Sequence, residues 1–487
     1  MLFRNRAWWL LLSALLGLRL LTMGWFPLTD TTEARYAEVA RLMAATGDWI
    51  TPWFAEGVPF WGKPPLAFWS EALSFKLFGI NEFAVRLPSW LATVGTLALI
   101  HVYSRSHFGR SVAMWAVLVY ATSALVYIVA GAVLMDPFLA FATTWAMVAF
   151  AMSTRQPSWM WRYGFFASLA VGLLAKGPLV MVLVAGALIP WMIWHPSARK
   201  SFMQLPWFAG LSLMAFLSFP WYVAAELRTP GFLNYFLIGE HFLRFIDSGW
   251  TGDLYGTAHQ EAKGTIWIHA LIAAFPWGAV ALFMLLQGLL GSARKQKLRL
   301  ALQDKDKSYL VTWMLFPLLL FTFAGNILWT YVLPALAAFS VLIGISLASW
   351  QEKSPKVRLG FYALVGFVPL VVTGYMALHI IQPDKLKTEK ELVAYAFRHM
   401  TGGDELVFVG PIPFSAMFYA RGLTRSVADF NWASKSGSSS IRYLAIPRED
   451  FDQMAKNISR PFTKVFESRH FILIFVEHPR NPDSQQS

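Results

Sequence analysis

The sequence has no cysteine. Disulfides, thiolate metal sites and cysteine nucleophiles are therefore excluded, while the compartment stays open. Charge is scarce as well. Only 14% of the 487 residues are Asp, Glu, Lys or Arg, against roughly a quarter in a soluble domain. With 56% hydrophobic residues and a mean hydropathy of +0.47, that shortage points to a polytopic membrane protein. Alternating strands of about ten residues are missing too, which argues against an outer-membrane barrel. The apolar runs are instead about 20 residues long, the length of a helix that crosses the hydrocarbon core. No internal repeat is apparent. The one low-complexity stretch is SKSGSSS, residues 434–440, which reads as a surface loop.

Acidic residues are fewer than basic ones, 28 against 41, for a net charge of +13. Such an excess can attract nucleic acid, but its distribution here marks membrane orientation instead. About eleven apolar segments are legible, near 7–25, 84–104, 111–131, 134–152, 161–175, 177–194, 205–225, 266–289, 308–324, 328–348 and 358–380. Six basic segments then fall on one side: Arg4 and Arg6; Arg105 and Arg110; Arg155 and Arg162; Arg199 and Lys200; Arg294 to Lys307; and Lys353 to Arg358. The positive-inside rule makes that side cytoplasmic. The first segment follows Arg4 and Arg6 without a small-residue cleavage site, so it reads as an uncleaved span.

The opposite face then holds a large loop, 26–83, a second loop, 226–265, three short turns and the C-terminal tail. Residues 1–381 read as a transmembrane domain. From 382 to 487 the pattern changes to one charged helix, KLKTEKELVAYAFRHM, and the β-rich runs ELVFVG, IRYLAIP and HFILIFVEHP. This predicts a small α/β domain outside the cytoplasm.

Chemistry-bearing residues gather on that outer face. The stretch Leu28–Trp69 carries Asp30, Glu33, Arg35, Glu38, Arg41, Asp48, Glu56 and Lys63 between two apolar segments. Tyr36, Val39, Ala40 and Met43 have the spacing of an interfacial helix, and Leu66, Trp69, Leu73 and Leu77 line a second one after Pro64-Pro65. Asp30 and Glu33 read as a capping box, and equally as a carboxylate pair that binds a divalent cation or activates an acceptor. Arg35 offers a planar fork for phosphate. Lys63, in Gly62-Lys63-Pro64-Pro65, is a solvated loop lysine or a phosphate ligand. Asp136 reads as an N-cap before Pro137, and a carboxylate at membrane depth needs a partner. Lys176 sits in the tight turn Ala175–Pro178, where it can snorkel or bind an anion. His241 and Arg244 are three residues apart, so they share a helix face. With Glu240, His241 is a candidate metal ligand or proton acceptor.

The motifs TEARYAEVARLM, GDWITP, GKPPLAFW, NEFAVRLPS, LMDPFLAF, AKGPL, FPWY and EHFLRF, in this order over roughly residues 1–350, resemble the bacterial lipid-A aminoarabinose transferases. Those belong with the protein O-mannosyltransferases in the GT-C glycosyltransferase superfamily. The resemblance implies a GT-C-type helical bundle, mainly α; the roughly eleven transmembrane helices counted in this sequence fall short of the thirteen in the aminoarabinose transferases. It implies a bacterial inner-membrane enzyme with a cytoplasmic N-terminus and transfer on the periplasmic face. The donor would be a polyprenyl-phosphate-linked sugar and the acceptor a lipid such as lipid A, a glycan or a protein, with membrane lipids around it and no nucleic acid. Lys63, Lys176 and Asp136 match functional positions of the family, with Arg35, Tyr36 and Arg244 beside the donor phosphate. Thr32 stands where the family has an Asp directly before Glu33, so either Asp30 or Glu33 takes the acidic role. His241 matches a zinc-binding His whose partner Glu is Gly62 here. A divalent ion held by His241 and Glu240 is therefore open, and no other cofactor is implied. A lipid-linked sugar transporter is the alternative, although its usual inverted repeats and broken helices are not apparent. An O-antigen ligase or polymerase, and a non-enzymatic anchor for the tail, are further readings.

Overall fold

The computed structural model describes residues 2–55, 57–247, 250–256, 261–289, 303–351, 355–382, 385–427, 441–456, 458 and 460–476. Glu56, the basic segment Arg294 to Arg299, Lys353 and the Ser-rich run at 434–440 lie outside the described residues.

A helix stands at each predicted apolar position. They are α1 (Leu2–Thr22), α4 (Glu82–Phe108), α5 with α6 (Arg110–Thr122, Ala124–Val129), α7 (Asp136–Arg155), α8 (Trp159–Lys176), α9 (Leu179–Trp194) and α11 (Trp207–Arg228). After them come α13 with α14 (Thr265–Ala273, Trp277–Leu289) and helices Lys305–Thr322, Leu333–Gln351 and Pro355–Ile381. Among the described residues, five helices are long and apolar enough to cross a membrane, or six if α13 and α14 form one span. The segment expected as a straight span over 266–289 is bent by 114° between those two helices. Pro276 sits at the break, where its missing N–H and its ring interrupt the helix. The interfacial helices are α2 (Thr32–Thr46) and α3 (Leu66–Phe78), with the short strands β1 (Trp53–Ala55) and β2 (Val58–Pro59) between them; α10 (Ser197–Met203) precedes α11, and α12 (Arg244–Ile246) lies between α11 and α13.

Small side chains let the bundle close. Ala140, Ala142, Ala146 and Ala149 of α7 are at most 1% exposed, which permits close backbone approach to its neighbours. Gly344 serves the same end, because a Cβ there would stand 2.9 Å from the backbone nitrogen of Ala116. Side-chain caps set some helix starts. Asn81 accepts the N–H of Ala84 at 2.9 Å to open α4.

The tail carries a five-stranded sheet in the order β4-β3-β5-β7-β6. Its strands are β3 (Glu405–Val409), β4 (Thr424–Val427), β5 (Ile441–Pro447), β6 (Phe462–Glu467) and β7 (Phe471–Val476). β3 runs parallel to β4 and β5, while β7 runs antiparallel to β5 and β6. The three central strands are the three β-rich runs of the sequence. The two edges, TRSV and FTKVFE, were not foreseen, because an edge strand packed on one side carries fewer apolar residues.

The sheet unit grips the first loop, and here the expected role of Asp30 changes. Asp30 caps no helix; α2 starts after Thr31, with no side-chain cap. Asp30 instead accepts the N–H of Ser415 at 3.0 Å and the Ser415 hydroxyl, while its own N–H donates to the carbonyl of Lys387 at 2.8 Å. Alongside, Tyr419 accepts the N–H of Leu28 at 2.7 Å and donates to Glu82 at 3.0 Å, and Lys390 pairs with Glu82 at 2.6 Å. Phe414 and Phe418 pack on Phe54 and Phe75.

This contact carries a pH dependence. Burial, with Asp30 nearby, pushes the Glu389 carboxyl up to about 7, and burial raises Asp30 as well. A raised carboxyl holds its extra proton only when folded, so its contribution is complete below the ordinary carboxylate range and disappears as pH rises through about 7. The full swing for Glu389 is about 3 kcal/mol at roughly 1.4 kcal/mol per pKa unit. The melting temperature of the purified protein is expected to fall between pH 5 and 8. Glu389→Gln flattens that fall.

Candidate active site

Glu33 is built into a buried brace. Arg86 is 1% exposed and grips both Glu33 oxygens, Nε to Oε1 at 2.8 Å and Nη2 to Oε2 at 2.9 Å. The same guanidinium donates to the carbonyls of Met23, Phe26 and Pro27. Glu33 also accepts the N–H groups of Val133 and Thr29 at 3.3 and 3.4 Å. The carboxylate thus ties the start of α2 to α4 and to the turn before α7. Glu71 lies fully buried beside this brace, with no hydrogen-bond partner for either oxygen among the described residues. Burial pushes its carboxyl well up, and the charge of Glu33 pushes it further.

The other predicted residues form one connected cluster. Lys176, at the end of α8, donates to Asp136 Oδ1 at 2.7 Å, and its ammonium lies 4.8 Å from the ring centre of Tyr331. Asp136 is the first residue of α7, one place inside the cap position expected for it. From the Lys176 carbonyl the chain of contacts passes to His241 Nε2 at 3.0 Å. The neighbouring Glu240 accepts from Lys63 at 3.4 Å and, through both oxygens, from Arg244 Nη1 at 3.1 Å. Burial raises the Glu240 carboxyl, but Lys63 and Arg244 more than offset this and hold it below its usual range. Arg244 also stands 3.2 Å from Asp253 Oδ2. Arg35 donates to the carbonyl of Tyr255 and lies 5.2 Å from the ring of Tyr36, which is buried against Phe60 and Phe68. Tyr255 closes the circuit by accepting the N–H of Trp61 at 3.0 Å and donating to Pro59 at 2.7 Å. Four cations (Lys63, Arg244, Arg35, Lys176) therefore face three carboxylates (Asp136, Glu240, Asp253), an excess of one positive charge.

The segment Asn234–Leu243 is a π-helix, not the α-helix assumed for the spacing of His241 and Arg244. Its wider turn brings His241 Nδ1 to the carbonyl five residues back, that of Phe236, at 2.8 Å. Both ring nitrogens of His241 face backbone carbonyls, and both oxygens of Glu240 are taken by Arg244, one of them also by Lys63. The two residues do not fit the metal site considered for them. Among the described residues there is no group of three or more His, Cys, Asp or Glu placed to hold a metal ion.

Gly177 makes this crossing possible. Its φ is +78°, and a Cβ there would stand 2.7 Å from Phe236 and 2.9 Å from the ring of His241. Gly177→Ala is expected to destabilise by about 1–3 kcal/mol through strain and overpacking. It should also displace the His241 ring and lower activity, read as melting temperature and turnover together.

The sequence reading missed Arg86, Glu71, Asp253, Tyr255 and Tyr331. Arg86 lies within NEFAVRLPS, where nothing in the sequence marks Glu33, 53 positions earlier, as its partner. Asp253 and Tyr255 lie in TGDLYG, where only their place on the outer loop hinted at a role.

A family profile described as dolichyl-phosphate-mannose-protein mannosyltransferase matches residues 6–236. An undecaprenyl phosphate-alpha-4-amino-4-deoxy-L-arabinose arabinosyl transferase of Yersinia pestis (strain Pestoides F) is 27% identical over 456 residues, covering 90% of this chain and 76% of that one. The enzyme of the same description from Erwinia tasmaniensis is 29% identical over 362 residues, covering 72% of this chain and 61% of its own. In three dimensions the chain is similar to the crystal structure of ArnT from Cupriavidus metallidurans bound to undecaprenyl phosphate. The TM-score is 0.75 at 16% identity, covering 96% of this chain and 97% of that one. The apo form of the same protein gives a TM-score of 0.72 at 17% identity, covering 97% and 98%. These two matches show the fold. The sequence relatives support a membrane glycosyltransferase, and the chain is similar to the aminoarabinose transferases.

Proposed function

We propose that this glycosyltransferase takes its sugar from an undecaprenyl-phosphate donor and passes it, on the periplasmic face of the bacterial inner membrane, to a lipid such as lipid A, a glycan or a protein. One observation carries the reading: four cations, Lys63, Arg244, Arg35 and Lys176, gathered with Glu240, Asp253 and Asp136, with one net positive charge. A sugar phosphodiester carries one negative charge. As its anomeric carbon–oxygen bond breaks, the departing polyprenyl phosphate gains a second. Lys63 and Arg244 are placed to stabilise that growing charge, which is the main electrostatic task of the reaction, and Arg35 adds its positive charge from beside Tyr255. The relatives' printed description, which names undecaprenyl phosphate and an arabinose derivative, supports the same donor class.

Of the three predicted acids, Asp136 is the one inside the cluster. Asp30 is engaged by Ser415, and Glu33 by Arg86. Asp136, paired with Lys176 at 2.7 Å, is therefore the carboxylate that orients and deprotonates an acceptor hydroxyl. If the acceptor is a phosphate group, it is already ionised and needs no base. No step is assigned to a metal. In this reading the N-terminus is cytoplasmic, all eleven apolar segments cross the membrane, and residues 382–487 form a periplasmic domain that steadies the first loop through Asp30. Mass spectrometry of envelope lipids, glycans and proteins from a deletion strain tests it. Loss of one sugar from one class supports transfer and names the acceptor; an unchanged envelope sinks it and favours transport of a lipid-linked sugar.

A further inference from the structure

Asp253 and Arg35 hold opposite halves of an unmade hydrogen-bond pair. The Asp253 side chain is 7% exposed. Its Oδ1 accepts the N–H of Tyr255 at 3.0 Å, which fixes the carboxylate plane. Its Oδ2 lies 3.2 Å from Arg244 Nη1 but takes no hydrogen bond from any described residue. Arg35 is bound through Nη1 to the Tyr255 carbonyl, while its buried Nε–H has no described acceptor. The two side chains flank Gly256, whose hypothetical Cβ would lie 3.6 Å from Arg35 Nη1 and 3.9 Å from Asp253 Oδ2. Rings of Tyr235, Tyr255 and Phe60 stand beside them. A buried acceptor and a buried donor, each left without a hydrogen bond, are costly to keep so.

The chemistry of these two groups selects what can fill the gap. A phosphate offers acceptors only and is repelled by Asp253. A polyprenyl chain offers neither donor nor acceptor. An ammonium donates to Asp253 but cannot accept from Arg35. A hydroxyl does both, donating to Asp253 Oδ2 and accepting from Arg35 Nε–H. We infer that Asp253 and Arg35 form a subsite that binds a hydroxyl of the donor's sugar ring, separate from the phosphate contacts of Lys63 and Arg244. The subsite rests on the donor reading above and adds where the sugar, rather than the phosphate, is recognised.

Asp253→Asn in the full-length protein separates this role from a mere brace for Arg244. Two probes are needed: undecaprenyl phosphate, which has no sugar, and undecaprenyl phosphate-linked 4-amino-4-deoxy-L-arabinose. Removing a negative charge next to Arg244 leaves undecaprenyl phosphate binding unchanged or tightens it. Loss of the hydroxyl contact lowers kcat/KM for the sugar donor about 10- to 100-fold, the range of a hydrogen bond to a charged group. Single-deoxy analogues of the donor identify the hydroxyl: one of them is a poor substrate for the wild type and loses no further activity in the variant. Retained phosphate binding also reports that the variant folds. Equal weakening toward both probes, or no change toward either, overturns the subsite. A wild-type protein that binds neither probe overturns the donor reading itself, and the subsite with it.

Discussion

Arg244→Ala is expected to lower sugar transfer by two to three orders of magnitude in kcat/KM while the protein still folds. Arg244 is the most connected cation of the cluster. Its Nη1 meets both oxygens of Glu240 at 3.1 Å and stands 3.2 Å from Asp253. Its backbone carbonyl accepts from Asn326 at 2.9 Å, so the chain stays placed when the side chain goes. Removing one preorganised donor to a developing anion costs about 3–4 kcal/mol. The loss grows here because Glu240 is left with only Lys63 against it, which adds repulsion toward the phosphate. Arg244→Lys restores charge without the planar fork and is expected to recover part of the rate. Steady-state kinetics in detergent or nanodiscs measure both. An Arg244→Ala enzyme within threefold of wild type would remove this residue from the phosphate contacts.

Arg86→Ala has the other large effect, and on stability. The substitution strands Glu33, whose side chain is 14% exposed, beside the buried Glu71, and it leaves the Met23, Phe26 and Pro27 carbonyls without their donor. Removing one partner of a buried ion pair costs about 3–5 kcal/mol. A steep fall in melting temperature and in the yield of monodisperse protein is expected. Glu33→Gln costs less, because the three carbonyl contacts of Arg86 survive. If Glu33 is a brace, this variant loses stability while its pH–rate profile keeps the wild-type shape. A lost ionisation in that profile would return Glu33 to the chemistry.

These two residues also show what the sequence made legible and what it hid. The helices were readable because apolar length follows the thickness of a bilayer directly. Lys63, Asp136, Lys176 and His241, each singled out in the sequence, lie along one chain of contacts. Partners were not readable. Asp30 and Glu33 sit three residues apart and look alike, yet one is taken by Ser415, 385 positions away, and the other by Arg86, 53 positions away. Hydropathy carries no information on such pairings. The π-turn at Asn234–Leu243 was hidden for a different reason: no composition marks it, yet it moves His241 away from any metal geometry and onto Lys176.

The cation cluster is the proposed seat of a polyprenyl phosphate. Titration of purified protein with undecaprenyl phosphate, wild type against Lys63→Ala, tests that most directly. Among the described residues the polar contacts of Lys63 are Glu240 and the carbonyl of Gly62, so the substitution removes a cation with little structural loss. The predicted result is saturable binding by the wild type, weakened about 100-fold in the variant, in line with a lost charge-assisted contact of roughly 3 kcal/mol. Equal affinity in the two proteins would contradict it.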